Sequence, residues 1–160
     1  RVEGQYRKLV IAGGGHIGER LATALEDNHS ITLLELDSER SMALAGKLDH
    51  TLVLNGPASD RELLLEAGVA DADVFCALTN DDEANIMSSL LAKRLGARKV
   101  MTLINNPAYV DLVQDPGAAD VAKDISGRTN IPVILYPDRS HQVEPSNADM
   151  LRKIEELGLA

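Results

Sequence analysis

Short apolar runs alternate with segments of helical periodicity over the first two-thirds of the chain, and this alternation constrains the fold most. The runs predict strands at 8–13, 30–36, 50–56, 73–79 and 99–105. Helices are predicted at 16–26, 38–48, 60–67, 81–95 and 108–114. Because the runs lack polar alternation, we expect strands buried on both faces. The pattern predicts an α/β fold, a doubly wound Rossmann-like parallel sheet with helices on both faces.

The rest of the chain has a different pattern. Residues 115–130 are polar and rich in turn residues. A strand is predicted within 131–138, where Pro132 must lie at the start of the strand or on an edge strand of the sheet. Ser146 can cap a last helix at 148–157, which Gly158 ends. We expect residues 115–160 to add a strand–helix unit to the domain formed by residues 1–114. The N-terminal residues lack the apolar stretch of a signal peptide.

Composition excludes several classes of function. The 160 residues suffice for one domain with a core. A net charge of −9 argues against binding to nucleic acid or to an anionic membrane surface. No apolar run reaches the roughly 20 residues of a membrane span, so direct membrane insertion is not expected. The single cysteine, Cys76, lies in an apolar run, so we expect it to be buried in a strand as a packing residue rather than to act as a catalytic thiol. Because a single cysteine cannot form an internal disulfide, we expect the protein to work in a reducing cytoplasm.

A glycine-rich turn follows the first predicted strand. Gly13, Gly15 and Gly18 fit G-x-G-x-x-G and open a helix within a βαβ unit, the context that a dinucleotide-binding turn requires. Gly13 would permit the tight turn, Gly15 the approach of a pyrophosphate, and Gly18 close packing of helix on sheet. The helix amides would then face the phosphates. The alternative is a glycine turn without a ligand.

Glu35 ends the second predicted strand, about 20 residues beyond the middle of the glycine motif. Its carboxylate can accept hydrogen bonds from both ribose hydroxyls and would repel a 2′-phosphate, which favours NAD(H) over NADP(H). The alternative is a solvated surface carboxylate. His16 lies in the turn, where it could touch a phosphate or point to solvent, and we assign it no catalytic role.

Polar residues gather where the fourth predicted strand meets its helix. Residues 79–81 lie near the expected cofactor crevice, and Asn80 and Asn85 could serve a ribose or a nicotinamide amide. Asp82 and Glu83 would stabilise the first turn of the helix by their charge alone. Further along this helix an apolar stripe predicts core packing, with a dimer contact as the alternative: Ile86, Met87, Leu90, Leu91 and Leu95.

The chain lacks recognisable catalytic motifs. The Tyr-x-x-x-Lys spacing of short-chain reductases fails, since Val113 follows Tyr109 at that distance. There is no His/Cys set with metal spacing, no G-x-S-x-G elbow and no P-loop lysine. We therefore expect no catalytic residue and no metal, and binding without turnover. Two alternatives are an NAD-dependent oxidoreductase fragment and an engineered Rossmann chimera that binds nothing.

Several segments together resemble a known family. "VIAGGGHIGERLA", "GPASDRELL", "VFCALTNDDEANIMSSLLAKRLGA" and "AYVDLVQ" are similar to the RCK (TrkA-N) domain of bacterial potassium-uptake regulators, and most to the second of their two tandem copies. The resemblance covers about residues 7–114. It implies a cytoplasmic regulatory subunit, peripheral to the inner face of the membrane, that binds NAD(H) or ATP or ADP. It also implies a homo-oligomer that gates a Trk-type membrane potassium transporter.

The resemblance implies ligand contacts by motif position. They are Gly13, Gly15, His16, Ile17, Glu35, Asn55, Gly56, Ala58, Thr79, Asn80 and Glu83. Pro57 departs from the family, which usually has an acid there, and so removes a donor and a carboxylate that could face the adenosine. The resemblance ends near Asp115, which suggests an engineered or recombined chain.

Overall fold

A computed structural model describes residues 7–106, Tyr109, 133–135, 141–143 and Arg152. The strands are β1 (Lys8–Ala12), β2 (Ser30–Glu35), β3 (Thr51–Asn55), β4 (Val74–Ala77), β5 (Lys99–Ile104), β6 (Val133–Leu135) and β7 (His141–Val143). The helices are α1 (His16–Leu25), α2 (Ser38–Lys47), α3 (Arg61–Glu66) and α4 (Asp82–Leu95), and a short 3-10 turn spans Val69–Asp71. Among these residues, no helix combines the length and apolarity needed to span a bilayer.

The seven strands form one sheet in the order β3-β2-β1-β4-β5-β6-β7. Strands β1 to β5 are all parallel, with β1 and β4 adjacent in the interior of the sheet. The predicted Rossmann-like parallel sheet is therefore confirmed. Each parallel strand delivers its following loop to the same edge, where ligands of such folds bind.

Helices cover both faces of the sheet, because alternate residues of β1 enter different apolar clusters. Leu9 and Ile11 pack in a cluster with residues of α1 and α2, among them Leu21 and Leu44. On the opposite face Val10 and Ala12 pack with α3 and α4, through Leu64 and Ala92. A strand covered in this way on both sides needs apolar residues at successive positions, as the buried residues 9–12 of β1 show.

Short side chains define the ends of the helices. Asp37, Asp60 and Asp81 are the N-caps of α2, α3 and α4, and each accepts a hydrogen bond from a backbone N–H in the first turn. Gly96 ends α4 with φ of +126°, a value that glycine adopts without strain. The predicted helix boundaries agree with these ends to within two residues.

One expectation about the sheet is wrong. The strand at 50–56 was expected to be buried on both faces, but β3 is the edge strand and Leu52 is 56% exposed. The strand predicted within 131–138 is confirmed as β6, and its direction was not predicted: it runs antiparallel to β5 and pairs with a further antiparallel strand, β7. Periodicity reports burial but carries no information on strand direction. The predictions for 108–114, 115–130 and 148–157 fall outside the described residues, except at Tyr109 and Arg152.

Cys76 lies in the middle of the sheet and is fully buried, as its apolar surroundings predict. Its Sγ is 3.9 Å from Sδ of Met101 on the neighbouring strand. Burial raises the pKa of the Cys76 thiol to about 12. A thiol that stays protonated in this way is a packing group rather than a nucleophile.

Candidate nucleotide site

The predicted site residues meet at the carboxyl edge of the parallel strands. Residues 13–17 follow β1, Glu35 ends β2, residues 55–58 follow β3, and residues 79–83 follow β4. The chain leaves β1 toward β2 on one side and β4 toward β5 on the other. The space between the ends of β1 and β4 is thus the point where the strand order reverses, and ligands of doubly wound sheets bind there.

The three motif glycines stand in different environments. Gly13 has φ of +115°, and a Cβ added there would lie 2.8 Å from the backbone of Leu78 and Thr79. At Gly18 an added Cβ would overlap the carbonyl oxygen of Gly13. Gly15 has an ordinary φ of −74°, and an added Cβ would meet no atom within 4 Å. The fold therefore requires glycine at 13 and 18, whereas at 15 it leaves open space.

Gly15 is the N-cap of α1, and no side chain caps this helix. His16 is the first helical residue and is exposed, while the side chain of Ile17 packs against the core. Within the described part of the chain, the N–H groups of these three residues donate to no acceptor. The positive end of the α1 dipole thus faces the open space beside Gly15.

The carboxylate of Glu35 lies across the turn and is already partly engaged. Oε1 accepts a hydrogen bond from the N–H of Gly14 at 2.9 Å, and Oε2 accepts one from the N–H of Asp37 at 2.7 Å. Each carboxylate oxygen can accept a second hydrogen bond. Glu35 is half-buried, so its orientation is set by these contacts while acceptor sites remain for a ligand.

The importance of Gly14 was not predicted from the sequence. An added Cβ would overlap Leu44 and would lie 2.9 Å from Oε1 of Glu35. Its carbonyl oxygen accepts a hydrogen bond from Nε of Arg40 at 2.7 Å. The motif leaves this position free, and the only available signal was the run of three glycines at 13–15.

The loop after β3 holds the end of β2 in place. The amide nitrogen of Asn55 donates to the carbonyl oxygens of Glu35 and Leu36 at 2.9 and 3.1 Å, and the N–H of Gly56 also donates to Glu35. Ala58 packs against the second apolar cluster, and Pro57 is exposed. The Nδ2 contacts of Asn55 therefore support the backbone beside the ribose-binding candidate.

Asn85 does not serve the crevice, which corrects the expectation that its amide could bind a ligand. It is fully buried, and Oδ1 accepts from the N–H and hydroxyl of Thr79 at 3.0 and 2.6 Å. Nδ2 donates to the carbonyl oxygens of Thr79 and Leu103 at 2.8 and 2.9 Å. All four hydrogen-bonding positions of the amide are used, so Asn85 joins the ends of β4 and β5.

The remaining polar residues after β4 differ in their availability. Thr79 uses its hydroxyl on Asn85, whereas Asn80 is exposed at the crevice. Glu83 is exposed, and the hydroxyl of Tyr109 lies 3.5 Å from its carboxylate. Asp82 does more than stabilise its helix, because its carboxylate accepts hydrogen bonds from the loop that follows β5.

An ion-pair cluster lies beside the glycine turn. Nη2 of Arg40 lies 2.5 Å from one carboxylate oxygen of Glu19, and Nζ of Lys47 lies 3.2 Å from the other. The hydrogen bond from Arg40, with that from Lys47, holds the pKa of Glu19 below its ordinary value. The cluster joins α1 to α2 over the turn.

Within the described residues, no group of three or more His, Cys, Asp or Glu residues could hold a metal ion.

The sequence model of the TrkA-N domain matches residues 9–124. The chain belongs to the TrkA-N domain family. Relatives named Trk system potassium uptake protein TrkA, from Halomonas elongata and Vibrio alginolyticus, are 57% and 53% identical to it over 122 residues. Each alignment covers 76% of this chain and 26% of the relative. This TrkA-N domain thus spans about a quarter of the length of these relatives, and the family match continues beyond Asp115, where the resemblance was expected to end.

Solved structures confirm the fold. The GsuK channel bound to NAD aligns with 68% of this TrkA-N domain and 20% of the channel chain, with a TM-score of 0.59 and 22% identity. A 3-hydroxyacyl-CoA dehydrogenase from Archaeoglobus fulgidus aligns with 71% of this chain and 40% of its own, with a TM-score of 0.52 and 14% identity. The same fold thus occurs in a channel protein and in an enzyme, so the fold does not decide between regulation and catalysis.

Proposed function

We propose that this TrkA-N domain binds NAD(H) and acts as a nucleotide-sensing unit of a Trk-type potassium uptake system, without turnover. Its relatives are named as potassium uptake proteins, and a protein of similar fold is described as bound to NAD. The observation that carries the proposal is the open space at Gly15, at the start of a helix whose first N–H groups donate to no acceptor among the described residues. The carboxylate of Glu35 lies at the adjacent residue, Gly14. Packing within the described residues does not require glycine there, whereas a diphosphate would.

We propose that different residues of the site contact different parts of the ligand. The N–H groups at 15–17 would receive the diphosphate at the positive end of α1. Glu35 would accept hydrogen bonds from the adenosine ribose, beside Gly56 and Ala58. On the other side of the turn, Thr79, Asn80 and Glu83 would border the second nucleoside. When bound, NAD(H) would supply hydride chemistry in an enzyme, but here we propose that it is sensed only.

The charges at this edge favour a ribose that carries no 2′-phosphate. Glu35 would repel such a phosphate. Arg40, a cation in contact with the turn, is engaged by Glu19 and by the carbonyl of Gly14. We therefore propose NAD(H) over NADP(H). ATP and ADP share the adenosine and the diphosphate and remain candidate effectors.

Regulation would follow if binding of the nucleotide shifted the population between two conformations of the domain or two arrangements of its subunits. A ligand can shift such an equilibrium only by the difference between its affinities for the two states, and coupling of about 1–3 kcal/mol is typical. We propose that the domain works in the cytoplasm within a homo-oligomer docked on a membrane potassium transporter. We also propose that residues 115–160 complete the same domain as 1–114, which the entry of β6 and β7 into the sheet supports.

Calorimetric titration with NADH, NAD, ATP and ADP tests the proposal. We expect saturable binding, and we expect Glu35→Gln to weaken the binding of NADH by about tenfold. The reason is that an amide has one oxygen that accepts hydrogen bonds where the carboxylate has two. Glu39→Gln is the matched control, because Glu39 is exposed on the first turn of α2 and has no partner among the described residues. A flat titration of the unsubstituted chain would favour a scaffold that binds nothing. Unchanged affinity in Glu35→Gln would refute the ribose contact.

A kinetic measurement separates sensing from catalysis. NADH absorbance is followed with the chain and a series of small carbonyl compounds. We expect no turnover above the rate without protein. Reproducible oxidation of NADH that is lost in Glu35→Gln would establish the oxidoreductase-fragment alternative instead.

A further inference from the structure

Gly14 is held at both of its backbone groups by side chains from the second βα unit. Its N–H donates to Glu35, and its carbonyl oxygen accepts from Nε of Arg40 at 2.7 Å. An added Cβ would overlap Leu44, so no side chain fits between this residue and α2. The peptide in the middle of the turn therefore has one orientation, which β2 and α2 impose.

Arg40 is itself fixed at both ends. Its backbone N–H donates to the capping carboxylate of Asp37 at 2.9 Å, at the start of α2. Its guanidinium spans two acceptors, with Nε on Gly14 and Nη2 on Glu19. The side chains of Arg40 and Glu19 are 31% and 22% exposed, which shields the pair from part of the solvent. A planar guanidinium makes the two contacts from separate nitrogen atoms held in a fixed geometry, whereas all donors of an ammonium lie on one nitrogen.

The contact with Gly14 sets the direction of the next N–H group. In a planar trans peptide the carbonyl of one residue and the N–H of the next point in opposite directions. Because Arg40 draws the carbonyl of Gly14 toward α2, the N–H of Gly15 points away from α2. That N–H is one of the groups assigned above to the diphosphate.

We propose that Arg40 is a positioning residue for the diphosphate of the ligand, acting through the Gly14 peptide, and that Glu19 keeps its guanidinium on this peptide and off the phosphates. The inference rests on the proposed NAD(H) binding. It predicts that removal of the Arg40 side chain weakens the binding of ligands that carry a diphosphate and leaves the binding of adenosine, which lacks one, unchanged. A residue that merely stabilised the fold would weaken both kinds of ligand alike.

The test compares Arg40→Met, Arg40→Lys and Lys47→Met by titration with NADH, ADP and adenosine, followed by amide NMR. We expect Arg40→Met to weaken NADH and ADP by about tenfold and adenosine by less than about twofold, the size of one lost charge-assisted hydrogen bond. Lys47→Met is the matched control, because it removes the same charge and also contacts Glu19 but does not touch Gly14. It should change each affinity by less than about twofold.

Arg40→Lys separates positioning from charge and carries the test if Arg40→Met does not fold. We expect it to lose nearly as much NADH affinity as Arg40→Met, whereas a role of charge alone predicts unchanged affinity. Equal losses for NADH and adenosine, or unchanged NADH binding in Arg40→Met, would overturn the inference. If the unsubstituted chain binds neither NADH nor ADP, the proposed function fails first and the inference fails with it.

Discussion

Gly13 and Gly15 are two residues apart in one turn, yet an added methyl group would have opposite consequences at them. At Gly13 it would press on the backbone that directly follows β4, from a φ that only glycine adopts freely. At Gly15 it would extend into open space, from a φ that any residue adopts. Stability and ligand affinity should therefore separate at these two residues.

We predict that Gly13→Ala lowers the free energy of unfolding by about 2 kcal/mol or more, because strain and overlap add. Gly15→Ala should leave it within about 0.5 kcal/mol but weaken NADH by about tenfold, since the methyl group occupies the diphosphate position. Urea unfolding and calorimetry on both variants check this. Loss of stability in Gly15→Ala, or intact NADH binding, would contradict it.

Asn85 offers a second prediction for a single residue. Asn85→Ala leaves the N–H of Thr79 and the carbonyl of Leu103 without their partner in the protein interior, so we expect a loss of about 2–4 kcal/mol. Asn80→Ala is the control, because Asn80 is exposed and has no partner among the described residues. Urea unfolding without ligand measures both. A cost below about 0.5 kcal/mol for Asn85→Ala would show that this buried network is replaceable.

Among the elements, the start of α4 is attached by several hydrogen bonds to the loop that follows β5. The carboxylate of Asp82 accepts from the backbone and side-chain nitrogens of Asn105 and from the N–H of Asn106, at 2.7 to 3.1 Å. The neighbouring Glu83 has the same charge at the same helix end but is exposed. The two residues therefore share the dipole interaction and differ in the attachment.

We predict that Asp82→Asn lowers the free energy of unfolding by about 1–3 kcal/mol and Glu83→Gln by less than about 0.5 kcal/mol. An amide at position 82 turns one donor toward backbone donors, while an amide at 83 meets water. Hydrogen exchange at Asn105 and Asn106 should rise only in the first variant. Equal effects of the two substitutions would mean that the helix dipole accounts for both.

The local elements could be predicted from the sequence because their signals are local. The apolar run at 8–13 and the glycines that end and follow it predicted β1 and the turn. The direction of β6 could not be predicted, because pairing with β5 depends on residues about 30 positions away. The exposure of β3 was missed for a similar reason, since only the strand order makes it an edge.

In the candidate site, too, features with a local sequence signal could be predicted and features that depend on distant contacts could not. Gly13, Gly18 and Glu35 were placed by spacing alone, and the structure brings them together. The roles of Arg40 and Asp82 depend on contacts 26 and 23 to 24 residues away, which no local pattern reveals. Asn85 was misjudged because helix spacing predicted its distance from the strand ends but not its burial.

At the scale of the whole molecule stability depends on pH, and among the described residues two carboxylates with lowered pKa values contribute to this dependence. Burial raises the pKa of Glu26, but hydrogen bonds from the N–H of His50, the hydroxyl of Thr51 and the N–H of Asp49 outweigh it and hold the pKa below the ordinary value of 4.5. The pKa of Glu19 is lowered by its cationic partners. A carboxylate with a lowered pKa in the folded state contributes stability above its unfolded pKa and loses it as pH falls through the folded pKa.

We predict that the free energy of unfolding falls as pH is lowered from about 5.5 to about 3.5. Glu26→Gln should be less stable than the unsubstituted chain at neutral pH, and the difference should shrink toward the acid end. Urea unfolding across this range measures both, with Glu66→Gln as an exposed control without a partner among the described residues. A difference that stays constant with pH would show that the charge of Glu26 contributes nothing.

The protonated thiol at the centre of the sheet has a practical consequence. Maleimides and haloacetamides react with thiolates, and the sole cysteine of the chain holds almost none at neutral pH behind a layer of packed side chains. A fluorophore can therefore be attached at a cysteine introduced on the crevice rim, for example by Asn80→Cys, without first replacing Cys76. The native chain is in this respect already a background for single-site labelling.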